Sequence, residues 1–145
     1  MERVFPLVRK YGGVVVGLTL DEDGIPDTAE GRLAVAEKIV REAEARGIDR
    51  RDILIDPLCM AVSADARAAE TTLRAIRLVR ERLGVGTVLG VSNVSFGLPR
   101  REVVNASFLT LALQAGLTAA ILNPNNAAMM SAFRTWRALA GLDPN

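Results

Sequence analysis

One unit repeats in the pattern of hydrophobic and polar positions. Short apolar runs recur at Val14-Val15-Val16-Gly17-Leu18, Ile53-Leu54-Ile55, Thr87-Val88-Leu89-Gly90-Val91 and Ala119-Ala120-Ile121-Leu122. Their spacing is roughly 32–39 residues, the length of a strand, a helix and two turns. Each run is short and apolar on both faces, which marks a strand of a buried parallel sheet and not an edge hairpin. Strands are therefore predicted near 14–20, 52–56, 86–91 and 119–123. Between them the period lengthens to that of a helix. Leu33, Ala36, Ile39, Val40 and Ala43 form one stripe, with Arg41, Glu42 and Glu44 outside it. Leu73, Ile76, Val79 and Leu83 form a second. Val103, Val104, Phe108, Leu111 and Ala112 belong to a third segment that is apolar almost all round, so this helix is predicted to be well buried. Helices follow near 28–46, 66–83 and 100–115. Asp27 with Glu30 spells a capping box, Asp65 a second cap and Pro99 a helix start, while Gly47 and Gly84 stand where helices end. Asn126 can cap a last helix carrying Met129, Met130, Phe133 and Trp136, and Met1 to Tyr11 read as a partial helix leading into the first strand.

Strands that alternate with helices define an α/β fold with parallel strands and right-handed crossovers. Two closures are open: a doubly wound sheet, or part of a (β/α)₈ barrel, which typically takes about 250 residues. At 145 residues the chain fits one domain, and four strands cannot close such a barrel.

Composition narrows the chemistry. There is no histidine, which excludes His-based triads, proton shuttles and metal sites. The single cysteine, Cys59, excludes an intrachain disulfide and reads as a small buried hydrophobe. The net charge of +1, from 18 basic and 17 acidic side chains, gives no support to nucleic acid as a partner. The apolar runs are too short to span a bilayer and nothing resembles a signal peptide, so a cytoplasmic protein with no membrane partner is expected.

Ligands of parallel α/β folds bind at the carboxyl ends of the strands. There the sequence places Asp21-Glu22-Asp23-Gly24, Asp56-Pro57, Ser92-Asn93-Val94-Ser95-Phe96-Gly97 and Asn123-Pro124-Asn125-Asn126. A carboxylate with carboxamides and no histidine suits the edge of a neutral heterocycle, because the carboxylate accepts from ring N–H and amino groups while a carboxamide both donates and accepts. Asp56 and Asn93 can also be read as turn or cap residues, and Asn123, beside Asn125 and Asn126, reads first as loop and cap chemistry. The triplet Asp21-Glu22-Asp23 reads as a solvated turn and falls far short of a calcium loop. No dinucleotide fingerprint, P-loop or nucleophile elbow is present.

Gly17-Leu18-Thr19-Leu20-Asp21-Glu22-Asp23-Gly24-Ile25-Pro26-Asp27-Thr28, Asp56-Pro57, Gly90 through Pro99 and Ile121-Leu122-Asn123-Pro124 resemble the pterin-binding domain family over essentially the whole chain. The likeness is greatest to the methyltetrahydrofolate-binding domain of cobalamin-dependent methionine synthases and to the methyltetrahydrofolate:corrinoid methyltransferases. Dihydropteroate synthases are more distant, and nothing matches their basic late-barrel motif. The resemblance implies a (β/α)₈ TIM barrel of which this chain is the middle to late part, about strands four to seven, as expected of a truncated gene product or a C-terminal piece. It implies that Asp56, Gly90, Asn93 and Ile121 contact the pterin. Asn93 would be catalytic, beside the reactive N5. Ser92, Ser95, Phe96 and Asn123 would be further pocket residues. Phe96 stands where some corrinoid methyltransferases have Gln, which leans toward the methionine synthase side. The implied reaction moves the N5-methyl group of methyltetrahydrofolate to a cob(I)alamin corrinoid (cobalamin) carried by another domain or a corrinoid-binding protein. A non-catalytic half-barrel, self-associating as a homo-oligomer or needing a missing half, is the alternative.

Overall fold

The computed structural model describes residues 3–143. The order of elements is α1 (Phe5–Tyr11), β1 (Val15–Leu18), α2 (Ala29–Ala45), β2 (Ile53–Asp56), α3 (Ala68–Leu83), β3 (Gly86–Gly90), α4 (Arg101–Gln114), β4 (Ala119–Ile121) and α5 (Ala127–Leu139). The four strands form one parallel sheet in sequential order β1-β2-β3-β4. A strand order that never reverses, with a helix after each strand, is the layout of a partial (β/α)₈ barrel and not of a doubly wound sheet.

Register fixes which side chains share a face. Leu18 pairs with Asp56, Leu54 with Gly86 and Gly90 with Ile121. Because side chains alternate along a strand, Val16, Leu18, Leu54, Asp56, Val88, Gly90 and Ile121 lie on one face. The opposite face, with Val15, Ile53, Ile55 and Leu89, is buried against the helices. That core has two parts. Val35, Ala36, Ile39, Val40 and Ala43 of α2 pack with Phe5, Val15, Ile53 and Ile55. Ile76, Phe108, Leu109, Ala112 and Met129 pack with Leu89, Val91 and Val94. Gly17 brings α2 close to the sheet: a Cβ there would lie 2.7 Å from Ile39 Cγ2.

The helix boundaries correct several expectations. Thr28, not Asp27, caps α2, its Oγ1 accepting from the Gly31 N–H, so the Asp27–Glu30 box does not form and Glu30 pairs instead with Arg74. Asp65 accepts from the Arg67 N–H in the turn before α3, which begins at Ala68 without a side-chain cap. Pro99 precedes Arg100, which adopts a left-handed φ of 52° before α4 starts at Arg101. Asn126 caps α5 as expected, accepting from the Met129 N–H, and Gly84 ends α3 in the left-handed conformation. Helix α4 is not buried all round. It packs on α5 and on the turn after β3, while Val103 and Leu111 project outward at 56% and 53% exposure. Leu33 is half-buried, and of the expected α5 stripe only Met129 is fully buried. Met1 and Glu2, part of the expected first helix, lie outside the described residues.

Candidate functional site

Parallel strands deliver their carboxyl ends to one edge of the sheet, and the polar residues singled out from the sequence gather along that edge. Asp56 is the last residue of β2, level with Leu18 and half-buried. Its Oδ1 accepts the Leu58 N–H at 2.8 Å, while Oδ2 meets no protein donor among the described residues. Leu58 holds a φ of 61°, a conformation in which a branched side chain is strained and which recurs at functional sites. Burial pushes the Asp56 carboxyl above its ordinary 3.8, and the Leu58 N–H opposes that shift. The ionised group is thus incompletely solvated and retains one carboxylate oxygen for a donor from outside.

Asn93 sits in a 3₁₀ turn, Val91–Ser95, that follows β3 directly. It is exposed, and its carboxamide folds back over Gly90: a Cβ on Gly90 would stand 3.2 Å from Asn93 Nδ2. Glycine at 90 therefore clears the space that the carboxamide uses. Ser95 is fully buried, and its hydroxyl donates to the Ser92 carbonyl (3.2 Å) and accepts from Arg101 Nε (2.9 Å). Arg101 Nη2 also donates to the Ser92 carbonyl, and its guanidinium lies 4.7 Å from the centre of the Phe96 ring. Ser92 and Ser95 thus hold the turn together, whereas Phe96 is exposed beside it. Ile121, 64% exposed, pairs with Gly90 and shares the Asp56 face. Asn123 Oδ1 accepts the Asn125 N–H, and its carbonyl accepts the Asn126 N–H, so Asn123 builds the turn that leads to the α5 cap.

The loops that carry Asp56 and Asn93 are tied to each other. Val62 N–H donates to the Val94 carbonyl at 3.0 Å, and the Ser63 hydroxyl donates to the Phe96 carbonyl at 2.6 Å. Asp21, Glu22 and Asp23 form an exposed turn closed by paired backbone bonds between Asp21 and Gly24, as the sequence suggested. Cys59 is buried and its thiol is pushed up to about 12, chiefly by desolvation, which leaves it protonated and inert at neutral pH. A cleft of about 340 Å³ between the starts of α2 and α3, lined by Asp27, Glu30, Arg67 and Arg74 among others, includes neither Asp56 nor Asn93.

Two side chains that organise this edge were not picked out from the sequence. Arg101 clamps the Asn93 turn. Arg32, on α2, is buried and bonds the loop after Asp56. Arg32 did leave a signal, since it stands one helical turn before Ala36 on the apolar stripe, where a charged residue is out of place.

A sheet of parallel strands in sequential order with helices on one side defines a (β/α)-barrel type of fold. Residues 2–123 match the family of pterin binding enzymes, and the chain belongs to that family. It is 34% identical over 130 residues to a methylcorrinoid:tetrahydrofolate methyltransferase of Eubacterium limosum, a match covering 89% of this chain and 48% of the relative. It is 36% identical over 129 residues to the methionine synthases of Mycobacterium tuberculosis and Mycobacterium leprae, covering 83% of this chain and 11% of each relative. The chain thus spans about half the length of the Eubacterium relative and about a tenth of the methionine synthases. No helix among the described residues is long and apolar enough to cross a membrane.

Proposed function

We propose that this chain is the C-terminal part of a pterin-binding barrel domain that holds methyltetrahydrofolate and presents its N5-methyl group to a corrinoid carried by another domain or protein, in the cytoplasm. The observation that carries the reading is Asp56: half-buried at the carboxyl end of β2, with Oδ1 fixed by Leu58 and Oδ2 open. A pterin offers adjacent ring N–H and amino donors, a match for a carboxylate. Asn93, beyond Gly90, serves the other end of the ring. The N5 leaving group must take up a proton, supplied by solvent, as the C–N bond breaks, and a carboxamide can accept from the N5–H that forms along the reaction. The corrinoid, when bound to its own carrier, supplies the nucleophile. Ile121 and the apolar residues of the same sheet face would form the pocket wall.

The pH dependence of binding tests this reading. Ionised Asp56 offers Oδ2 to a pterin donor, and protonation weakens that acceptance. Since burial raises its pKa above 3.8 in the empty fold, pterin affinity should fall as pH drops through that raised value. Folding stability carries the opposite sign: a raised native pKa makes protonated Asp56 the better-tolerated form, so its contribution declines as pH rises through that pKa. Affinity that stays flat as the pH falls from neutral to below 3.8 contradicts the assignment.

A self-associating half-barrel is the second reading, favoured by the face that bears Asp56. Val16, Leu18 and Ile121 are 50%, 46% and 64% exposed there, and β1 and β4 are open sheet edges. A patch of that kind, flanked by unpaired strand edges, favours association. Light scattering of the 145-residue chain at micromolar concentration should give a dimer or larger species. A monodisperse monomer counts against this second reading.

A further inference from the structure

Arg32 is the most buried charge in the described fold, 3% exposed, and no carboxylate pairs with it. A guanidinium cannot escape the cost of burial by losing its proton, so its hydrogen bonds must hold it. All are to neutral oxygens. Nε donates to the Pro26 carbonyl at 3.0 Å. Nη1 donates to the carbonyls of Pro57 (3.0 Å) and Leu58 (2.8 Å) and lies 3.3 Å from the Thr72 hydroxyl. Thr72 is itself buried and donates to the Ala68 carbonyl within α3. A single side chain on α2 thereby joins the loop after β1, the loop after β2 and α3.

The point of attachment is telling. Leu58 is one of two non-glycine residues with a positive φ among the described residues, at 61°. Its carbonyl is held by Arg32 and its N–H by Asp56 Oδ1. Left-handed leucine is disfavoured and persists only where its surroundings enforce it. Were Leu58 to relax, its N–H would swing away from Asp56.

We propose that Arg32 is a positioning residue for the ligand site: by holding the Pro57 and Leu58 carbonyls it keeps Leu58 left-handed, which aims the Leu58 N–H at Asp56 and leaves Oδ2 turned to the ligand. The consequence for pterin binding rests on the functional reading above, whereas the control of the 56–58 turn does not. A hydrophobic residue at 32 would fill the same space but would leave the Pro57 carbonyl unpaired and the Leu58 carbonyl with only the Thr72 hydroxyl, 3.4 Å away.

The test uses the 145-residue chain and nuclear magnetic resonance. In Arg32→Met the Leu58 amide should exchange with solvent at least about tenfold faster than in the parent, as the loss of one hydrogen bond to a charged group implies. Its proton shift should also cease to follow the titration of Asp56, while the amides of Ile55 and Leu89 keep their protection. Arg32→Lys should recover part of the effect, because an ammonium can reach the same carbonyls. The decisive variant is Arg32→Met with Leu58→Gly: glycine adopts this φ freely, so coupling of the residue 58 amide to Asp56 should return although the guanidinium is still gone. If Arg32→Met does not fold, the comparison is made between Arg32→Lys alone and Arg32→Lys with Leu58→Gly. A purely structural arginine would lower stability while leaving the Leu58 shift coupled to Asp56, and glycine at 58 would restore nothing; either result overturns the proposal. Calorimetry with methyltetrahydrofolate on the complete barrel domain that the proposed function implies, in its parent and Arg32→Met forms, separates the two layers. Loss of the Leu58 coupling with no folate binding by the parent domain retains the turn mechanism and rejects the pterin reading. Folate affinities that are equal in the parent and Arg32→Met domains retain the pterin reading and reject the positioning role.

Discussion

Replacing Asn93 with alanine in the eight-stranded domain that the proposed function implies is expected to slow single-turnover methyl transfer by about 10²–10³-fold, the usual effect of removing one preorganised hydrogen-bonding group that acts on developing charge. The carboxamide is exposed on its 3₁₀ turn, so its removal opens no cavity and the fold should remain. The turn itself is held by Ser95 and Arg101, neither of which depends on the Asn93 side chain. Before transfer N5 carries no proton, so the contact is weak; it strengthens as N5 becomes a leaving group. Binding of methyltetrahydrofolate should accordingly weaken much less than the rate falls. Equal losses in affinity and in rate would make Asn93 a binding residue only.

The Asp56→Asn substitution should have the reverse profile. Affinity for the pterin is expected to fall by about 1.5–3 kcal/mol, the worth of hydrogen bonds to a charged group. The single-turnover rate at saturating folate should change little, because the proposed reading has Asp56 grip a ring edge remote from the breaking bond. Stability provides an internal control. Asp56 is ionised against a desolvation cost, so a neutral carboxamide that still accepts the Leu58 N–H should leave the domain at least as stable as before. A loss of affinity accompanied by unfolding would point to a turn residue and not to a ligand group.

Much of this arrangement was legible in the chain, for identifiable reasons. Buried parallel strands must be apolar on both faces, so Ile53-Leu54-Ile55 declared itself, and β2 runs from Ile53 to Asp56. The succession of strands and helices set the sheet direction, and the residues at the strand ends then fell on one edge without any knowledge of contacts. Boundaries were less legible where two residues could serve the same purpose. Asp27 and Thr28 are both good caps, and only the position of the Gly31 N–H decides for threonine. Helix α4 shows another limit: its composition declared it apolar but not which side would find a partner, and Val103 and Leu111 found none. The braces were hidden for a different reason. Arg32 and Arg101 act on backbone carbonyls contributed by loops, and a carbonyl carries no mark in the sequence of what will bond it. Ser95 illustrates the same point in reverse, since a serine in a ligand loop looks available until the fold shows its hydroxyl already paired on both sides.

The central claim is that Asp56, at the carboxyl end of β2, is the group that grips a pterin. Isothermal calorimetry with methyltetrahydrofolate at neutral pH, on the eight-stranded domain and on its Asp56→Asn form, addresses it most directly, with the 145-residue chain titrated in parallel. The predicted outcome is a Kd raised about 10–150-fold by the substitution, and weak or undetectable binding by the 145-residue chain alone. An unchanged Kd in the Asp56→Asn domain would contradict the account.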